Sequence, residues 1–148
     1  MTSPNPEIPR MKRYEEIEHT ADIGLKVYGK DLKELFRNAA FGMFDIIADL
    51  EGLKESVTVD IELKGDNYEE LLVKWLDELL YNFYTKWVIF FEFDIIDLAG
   101  GRLLARARGR HLGENRNRLK KEVKAATYHD LKIEESSDGC SVEIIFDI

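Results

Sequence analysis

Two side chains able to ligate a metal, His19 and Asp22, share the stretch His19-Thr20-Ala21-Asp22-Ile23-Gly24. It lies between two strand-like runs, Tyr14 to Glu18 and Ile23 to Tyr28, and its glycine permits a tight backbone. An aspartate in that setting also has a plainer use, a turn in which its carboxylate accepts from the local backbone. A second constellation is cationic. From Arg102 to Lys124 there are nine Lys or Arg and two acids, in a chain whose formal net charge is -8. A basic island in an acidic protein invites an anionic partner, and its plain alternative is a solvated face paired with acidic neighbours. His111 and His129 add imidazoles, but no Gly-x-Ser-x-Gly context, Walker-type loop or dinucleotide fingerprint accompanies them. The single cysteine, Cys140, rules out a thiolate zinc site by count. Carboxylates and histidines are therefore present without a nucleophile for them to activate.

The elements that must position these residues follow from composition and periodicity. At 148 residues, 45% hydrophobic and 34% charged, the chain reads as one soluble globular domain with a substantial core. No apolar run approaches the ~20 residues of a membrane span, so no membrane is expected. One cysteine permits no internal disulfide, which suits a reducing cytoplasm. Gln is absent while charged residues abound, a bias found in heat-adapted proteins. Pro4, Pro6 and Pro9 predict a mobile N-terminal tail over residues 1–10, leaving residues 11–148 as a single domain.

Ile23, Leu25 and Val27 alternate with Gly24, Lys26 and Tyr28 as a half-buried strand requires. Asp31 and Glu34 form a capping-box variant ahead of Leu32, Leu35, Phe36, Ala39, Ala40, Met43, Ile46 and Leu50, the stripe of a helix running to roughly Asp49. Val57, Val59, Ile61 and Leu63 mark another strand. A second helix starts under Asp66 or Asn67, carries Leu71, Leu72, Trp75, Leu76, Leu79, Leu80 and Phe83, and ends near Lys86. Val88 to Leu98 is a strand that Ala99-Gly100-Gly101 turns back on Arg102 to Arg110 as a hairpin.

In that returning strand a period of two sets Arg102, Arg106, Arg108 and Arg110 on one face and Leu103, Ala105, Ala107 and Gly109 on the other. The small residues suit close packing over a helix, so the arginine face is the wet one. Like charges down one strand repel unless acids or a ligand answer them. Arg116, Arg118, Lys120 and Lys121 extend the charge through the next loop, and no aromatics interleave as stacking on single-stranded RNA would favour. Phosphate or an acidic protein surface is the expected counterpart. The remainder is expected to form two strands. One is entered at Lys124-Ala125-Ala126-Thr127-Tyr128-His129 and continues through Leu131 and Ile133; the other holds Val142, Ile144 and Phe146 and closes the chain at Asp147 and Ile148. The fold class is α+β, two amphipathic helices on a largely antiparallel sheet of about six or seven strands. Strand order does not follow from these patterns.

Three stretches together carry a resemblance: His19-Thr20-Ala21-Asp22-Ile23-Gly24, Lys124-Ala125-Ala126-Thr127-Tyr128-His129 and Ile145-Phe146-Asp147-Ile148. In content and order they resemble the archease family, with a match running from about Met11 to the last residue. The resemblance implies an accessory protein rather than a free-standing enzyme. Archeases assist the GTP-dependent RNA ligase that joins ends bearing a 3'-phosphate or cyclic phosphate to a 5'-hydroxyl in tRNA splicing, promoting ligase guanylylation and turnover. Some are linked to chaperone-like modulation of a tRNA methyltransferase.

By similarity, a divalent-metal site maps onto Asp22, Asp147 and Ile148, the last through a backbone or α-carboxylate oxygen. Such an oxygen-only, anionic set suits Ca²⁺, Mg²⁺ or Mn²⁺. His19, His129, Lys124 and Thr127 would orient ligands or face the partner, and each also has a structural use. Arg102, Arg106, Arg108, Arg110, Arg116 and Arg118 would form a docking or RNA-proximal surface. Two other classes of function stay open: a stand-alone metal-dependent phosphoesterase built on the same carboxylates, and a pure binding or chaperone module in which metal is incidental.

Overall fold

The structure, a computed structural model, describes residues 13–18 and 22–148. The expected tail over residues 1–10 and the side chain of His19 lie outside the described residues. Strand β1 (Tyr14–Glu18) pairs antiparallel with β2 (Asp22–Gly29), and helix α1 (Leu32–Ile47) follows. Its start is the expected capping-box variant: the Asp31 carboxylate accepts the Glu34 N–H at 2.8 Å while the Glu34 carboxylate accepts the N–H of Lys30, one residue before the cap, at 2.7 Å. β3 (Val57–Lys64) leads to α2 (Tyr68–Lys86), where Asn67 rather than Asp66 is the cap, accepting from the Glu70 N–H. β4 (Val88–Ala99) and β5 (Arg102–His111) form the hairpin, closed by Gly100 and Gly101 with φ of 62° and 73°, the positive values a two-residue turn of this hand demands. A 3-10 turn (Gly113–Arg118), β6 (Ala125–Ala126), β7 (Glu134–Ser136) and β8 (Gly139–Asp147) complete the chain.

The α+β class and the antiparallel pairing stand. The strands number eight among the described residues, divided between two sheets rather than gathered in one of six or seven. One sheet has the order β1-β2-β8-β6, with β7 also on β8; the other has the order β3-β5-β4. The expected long strand from Lys124 through Ile133 is also corrected: only Ala125 and Ala126 pair, and regular pairing resumes at Glu134. The cause is local. The Thr127 hydroxyl and N–H both donate to the Ile145 carbonyl, the hydroxyl also receives the His129 N–H, and Asp130 turns left-handed at φ 49°. Side-chain bonds of this type compete with the ladder and end it.

The two helices share one core with both sheets. α1 packs on β2 and on β4, and α2 on β4 and β6. Phe44 of α1 meets Phe83 of α2 and Phe90 and Phe93 of β4, with ring centroids 5.7–6.2 Å apart. The buried Trp75 indole donates to the Phe36 carbonyl at 3.0 Å, so the helices are joined by a hydrogen bond as well as by apolar contact. Leu103, Ala105 and Ala107 are fully buried, as the small-residue face of β5 requires. At Gly109 that closeness reaches its limit, because a Cβ would stand 2.1 Å from the Ile89 carbonyl oxygen.

Candidate functional site

β8 runs through the middle of the larger sheet, with β2 on one side and β6 and β7 on the other. Its antiparallel register with β2 sets Asp22 directly opposite Asp147. Directly opposed residues have Cα atoms about 4.5–5.5 Å apart and side chains on one face. The first residue of β2 and the last of β8 therefore present two carboxylates together at one end of the sheet, 125 positions apart in sequence. Pleat parity separates them from the core row of Ile23, Leu25, Val27, Val142, Ile144 and Phe146, all buried. Asp147 is exposed and Asp22 half-buried.

On the other flank of β8, Ala125 is the register partner of Asp147, and the Lys124 N–H donates to the Asp147 carbonyl at 2.7 Å. Lys124 is thus tied to the site through its backbone, with an exposed side chain. Thr127 sits three residues further on and holds Ile145, while the exposed His129 ring lies 3.3 Å from the Asp130 carboxylate. Thr127 therefore has a structural task and His129 a local partner.

Asp77, on α2, is the residue the sequence analysis missed. Its carboxylate accepts the Ala126 N–H at 2.8 Å, clasping β6 beside Asp147. Burial pushes its pKa above the ordinary aspartate value, the Ala126 N–H opposes the rise, and the neighbouring Asp147 charge adds to it. A signal was available in the sequence. Positions 73, 77, 80 and 84 lie along one side of a helix, and Asp77 stands there among Val73, Leu80 and Tyr84. That side holds the segment before β8 at three points: Tyr84 donates to the Val123 carbonyl at 2.7 Å, Asp77 takes Ala126, and Glu69 takes the Ile133 N–H at 3.0 Å.

Among the described residues no group of three or more His, Cys, Asp or Glu side chains converges closely enough to hold a metal ion. The donor set at this end of the sheet is two carboxylates, with the Ile148 main chain next to Asp147. Its chemistry is hard and oxygen-only, which fits a cation that retains water ligands.

The arginines of β5 are answered by acids on the strands to either side. Arg102 pairs with Glu62 and Arg106 with Asp60, both on β3; Arg108 pairs with Asp94 on β4 and with Glu55. The Arg106 guanidinium bonded to Asp60 holds that carboxyl below the ordinary aspartate value. Arg110 donates to the Lys54 carbonyl and Arg118 to the carbonyls of Asp49 and Glu51, so these two fasten loops. Arg116 instead lies over the Trp87 ring, 5.2 Å from its centroid. The basic island is thus mostly a ladder of alternating charge, with Arg116 stacked beyond it.

Comparison with known proteins agrees with this architecture. The model of the archease protein family (MTH1598/TM1083) matches residues 14–148. The archease of Pyrococcus furiosus is 39% identical over 132 residues, covering 87% of this chain and 93% of the relative. The solution structure of Methanobacterium thermoautotrophicum protein 1598 superposes with a TM-score of 0.82 at 33% identity, over 93% of this chain and all of that one. The crystal structure of a Thermotoga maritima archease, described as a possible chaperone, shares the fold at a TM-score of 0.59 and 22% identity, over 90% of this chain and 96% of that one. With a family match spanning both ends of the sheet and a relative well above 30% identity, this chain belongs to the archease family.

Proposed function

We propose that this chain is an accessory protein of the GTP-dependent RNA ligase that joins 3'-phosphate or cyclic-phosphate ends to 5'-hydroxyls in tRNA splicing, and that it promotes guanylylation and repeated turnover of that ligase. The observation that carries the proposal is the register of Asp22 opposite Asp147 in a chain of the archease family. Two carboxylates opposite each other on one face of a sheet offer hard oxygen ligands to the same cation.

In this reading Asp22, Asp147 and a main-chain oxygen of Ile148 would hold Ca²⁺, Mg²⁺ or Mn²⁺. A divalent ion there supplies positive charge to the phosphates of a nucleotide or RNA end. The chain's own residues do the rest. The β2–β8 ladder fixes the separation of the carboxylates. Lys124 ties the segment before β6 to Asp147 through its backbone N–H. The ligase meets this end of the sheet, and Arg116, whose guanidinium makes no ion pair among the described residues, is a second point of docking.

The test is multiple-turnover ligation with purified ligase, GTP and one defined divalent metal, comparing wild type with Asp22→Ala and Asp147→Ala. Both variants are expected to lower the stimulation to the level of ligase alone. Full stimulation by both would remove the carboxylates from the mechanism and favour a pure binding or chaperone module. Consumption of cyclic-phosphate RNA by the chain with Mn²⁺ and no ligase would favour the phosphoesterase instead.

A further inference from the structure

The bond between Asp77 and the Ala126 N–H needs only an acceptor oxygen, which asparagine would supply as well. Aspartate brings a negative charge in addition, and here that charge is costly. The side chain stands among apolar residues of α2, its described hydrogen bond is to a neutral amide, and the strand it clasps is the one paired with Asp147. No Lys or Arg forms an ion pair with it among the described residues. A charge so placed is favourable only when positive charge stands nearby. Beside the strand that Asp77 clasps, Asp22 faces Asp147 across the sheet, and two carboxylates so placed could hold such a charge.

We propose that Asp77 supports the Asp22–Asp147 site through its charge: held beside β6 by its bond to the Ala126 N–H, it raises the affinity of that site for a divalent cation without ligating it. This rests on the reading that Asp22 and Asp147 hold a cation, and it extends that site from the sheet to α2. The coupling acts in both directions. A cation at the sheet offsets the repulsion between Asp77 and Asp147, and so tightens the hold of α2 on the segment from Val123 to Ile133, which Tyr84 and Glu69 also grip.

The role separates from that of a simple clasp because charge and hydrogen bond are removed by different variants. Asp77→Asn keeps the acceptor and loses the charge; Asp77→Glu keeps the charge and disturbs the bond. Each is compared with wild type and Asp147→Asn by calorimetric titration of the full chain with Ca²⁺, and by thermal unfolding in chelator. Asp77→Asn is expected to unfold in chelator at or above the wild-type temperature yet bind Ca²⁺ about tenfold more weakly, the usual scale for a residue that supports metal ligands. Asp77→Glu is expected to unfold earlier in chelator while keeping its affinity within about threefold of wild type, well inside that supporting-residue effect.

Wild-type affinity in Asp77→Asn, with binding abolished in Asp147→Asn, would overturn the role of Asp77 and leave the cation site intact. So would weak binding by both Asp77 variants together with early unfolding, which marks a structural clasp. A wild-type chain that takes up no Ca²⁺, Mg²⁺ or Mn²⁺ would overturn both.

Discussion

Asp60 and Arg106 show what a single pair on the wet face of β5 contributes. The guanidinium stands 2.7 Å from the carboxylate, and its hydrogen bond is the largest cause of the lowered Asp60 pKa. A carboxyl depressed in the folded state adds stability above its unfolded pKa and loses it as pH falls through the folded value. The contribution of the pair is therefore complete at neutral pH and disappears in acid. In Arg106→Ala the Asp60 pKa should return to the ordinary 3.8 or above, read by carboxyl carbon NMR during a pH titration. The stability gap between variant and wild type should close as pH drops below about 4 and shrink in high salt. A gap unchanged from pH 7 to pH 2 would mean that the ion pair is not its source. The row of arginines was legible in the sequence, since a period of two is enough to find it. Its acids were not, because Asp60, Glu62 and Asp94 become partners only when β5 is placed between β3 and β4, and nothing local encodes that order.

At the scale of elements, the clearest sequence signals were those in which neighbouring residues satisfy each other. Asp31 answers the free Glu34 N–H at the start of α1, and Glu34 reaches back to the Lys30 N–H just before the cap, with no help from the rest of the fold. Asp31→Ala is expected to cost about 1 kcal/mol, measured as a lower urea midpoint with an unchanged slope. Glu34→Ala in the same background should cost less than it does alone, since the box is reciprocal. The strand expected through Leu131 and Ile133 failed for a related reason. Its alternation suits a strand, but Thr127 finds a carbonyl partner in Ile145 across the sheet and turns the chain away. Asp77 was overlooked because the apolar stripe of α2 is easily followed through Trp75 and Leu76, and a single acid beside it looks like the solvent face. Its purpose emerges only when β6 lies alongside.

Across the whole molecule, the two sheets share a core, and this has a consequence for any ligand at the edge of one of them. Phe44 joins α1 to β4, α1 also covers β2, and Trp75 joins the helices, so the sheet of β3, β5 and β4 has no separate apolar interior. A domain built this way unfolds as one unit. An ion that binds only the folded form then stabilises every residue by the same amount, about 2.7 kcal/mol at a hundred times its dissociation constant. The most protected amides of β5, in the sheet that does not hold the carboxylates, should therefore slow in hydrogen exchange on addition of Ca²⁺ by the same factor as those of β8. Asp147→Ala should abolish both increments. Slowing confined to β2, β6 and β8 would mean that the larger sheet opens on its own below the global transition. The shared aromatic core would then pack the two sheets without coupling them, and the effect of a cation would stop at the strands that carry Asp22 and Asp147.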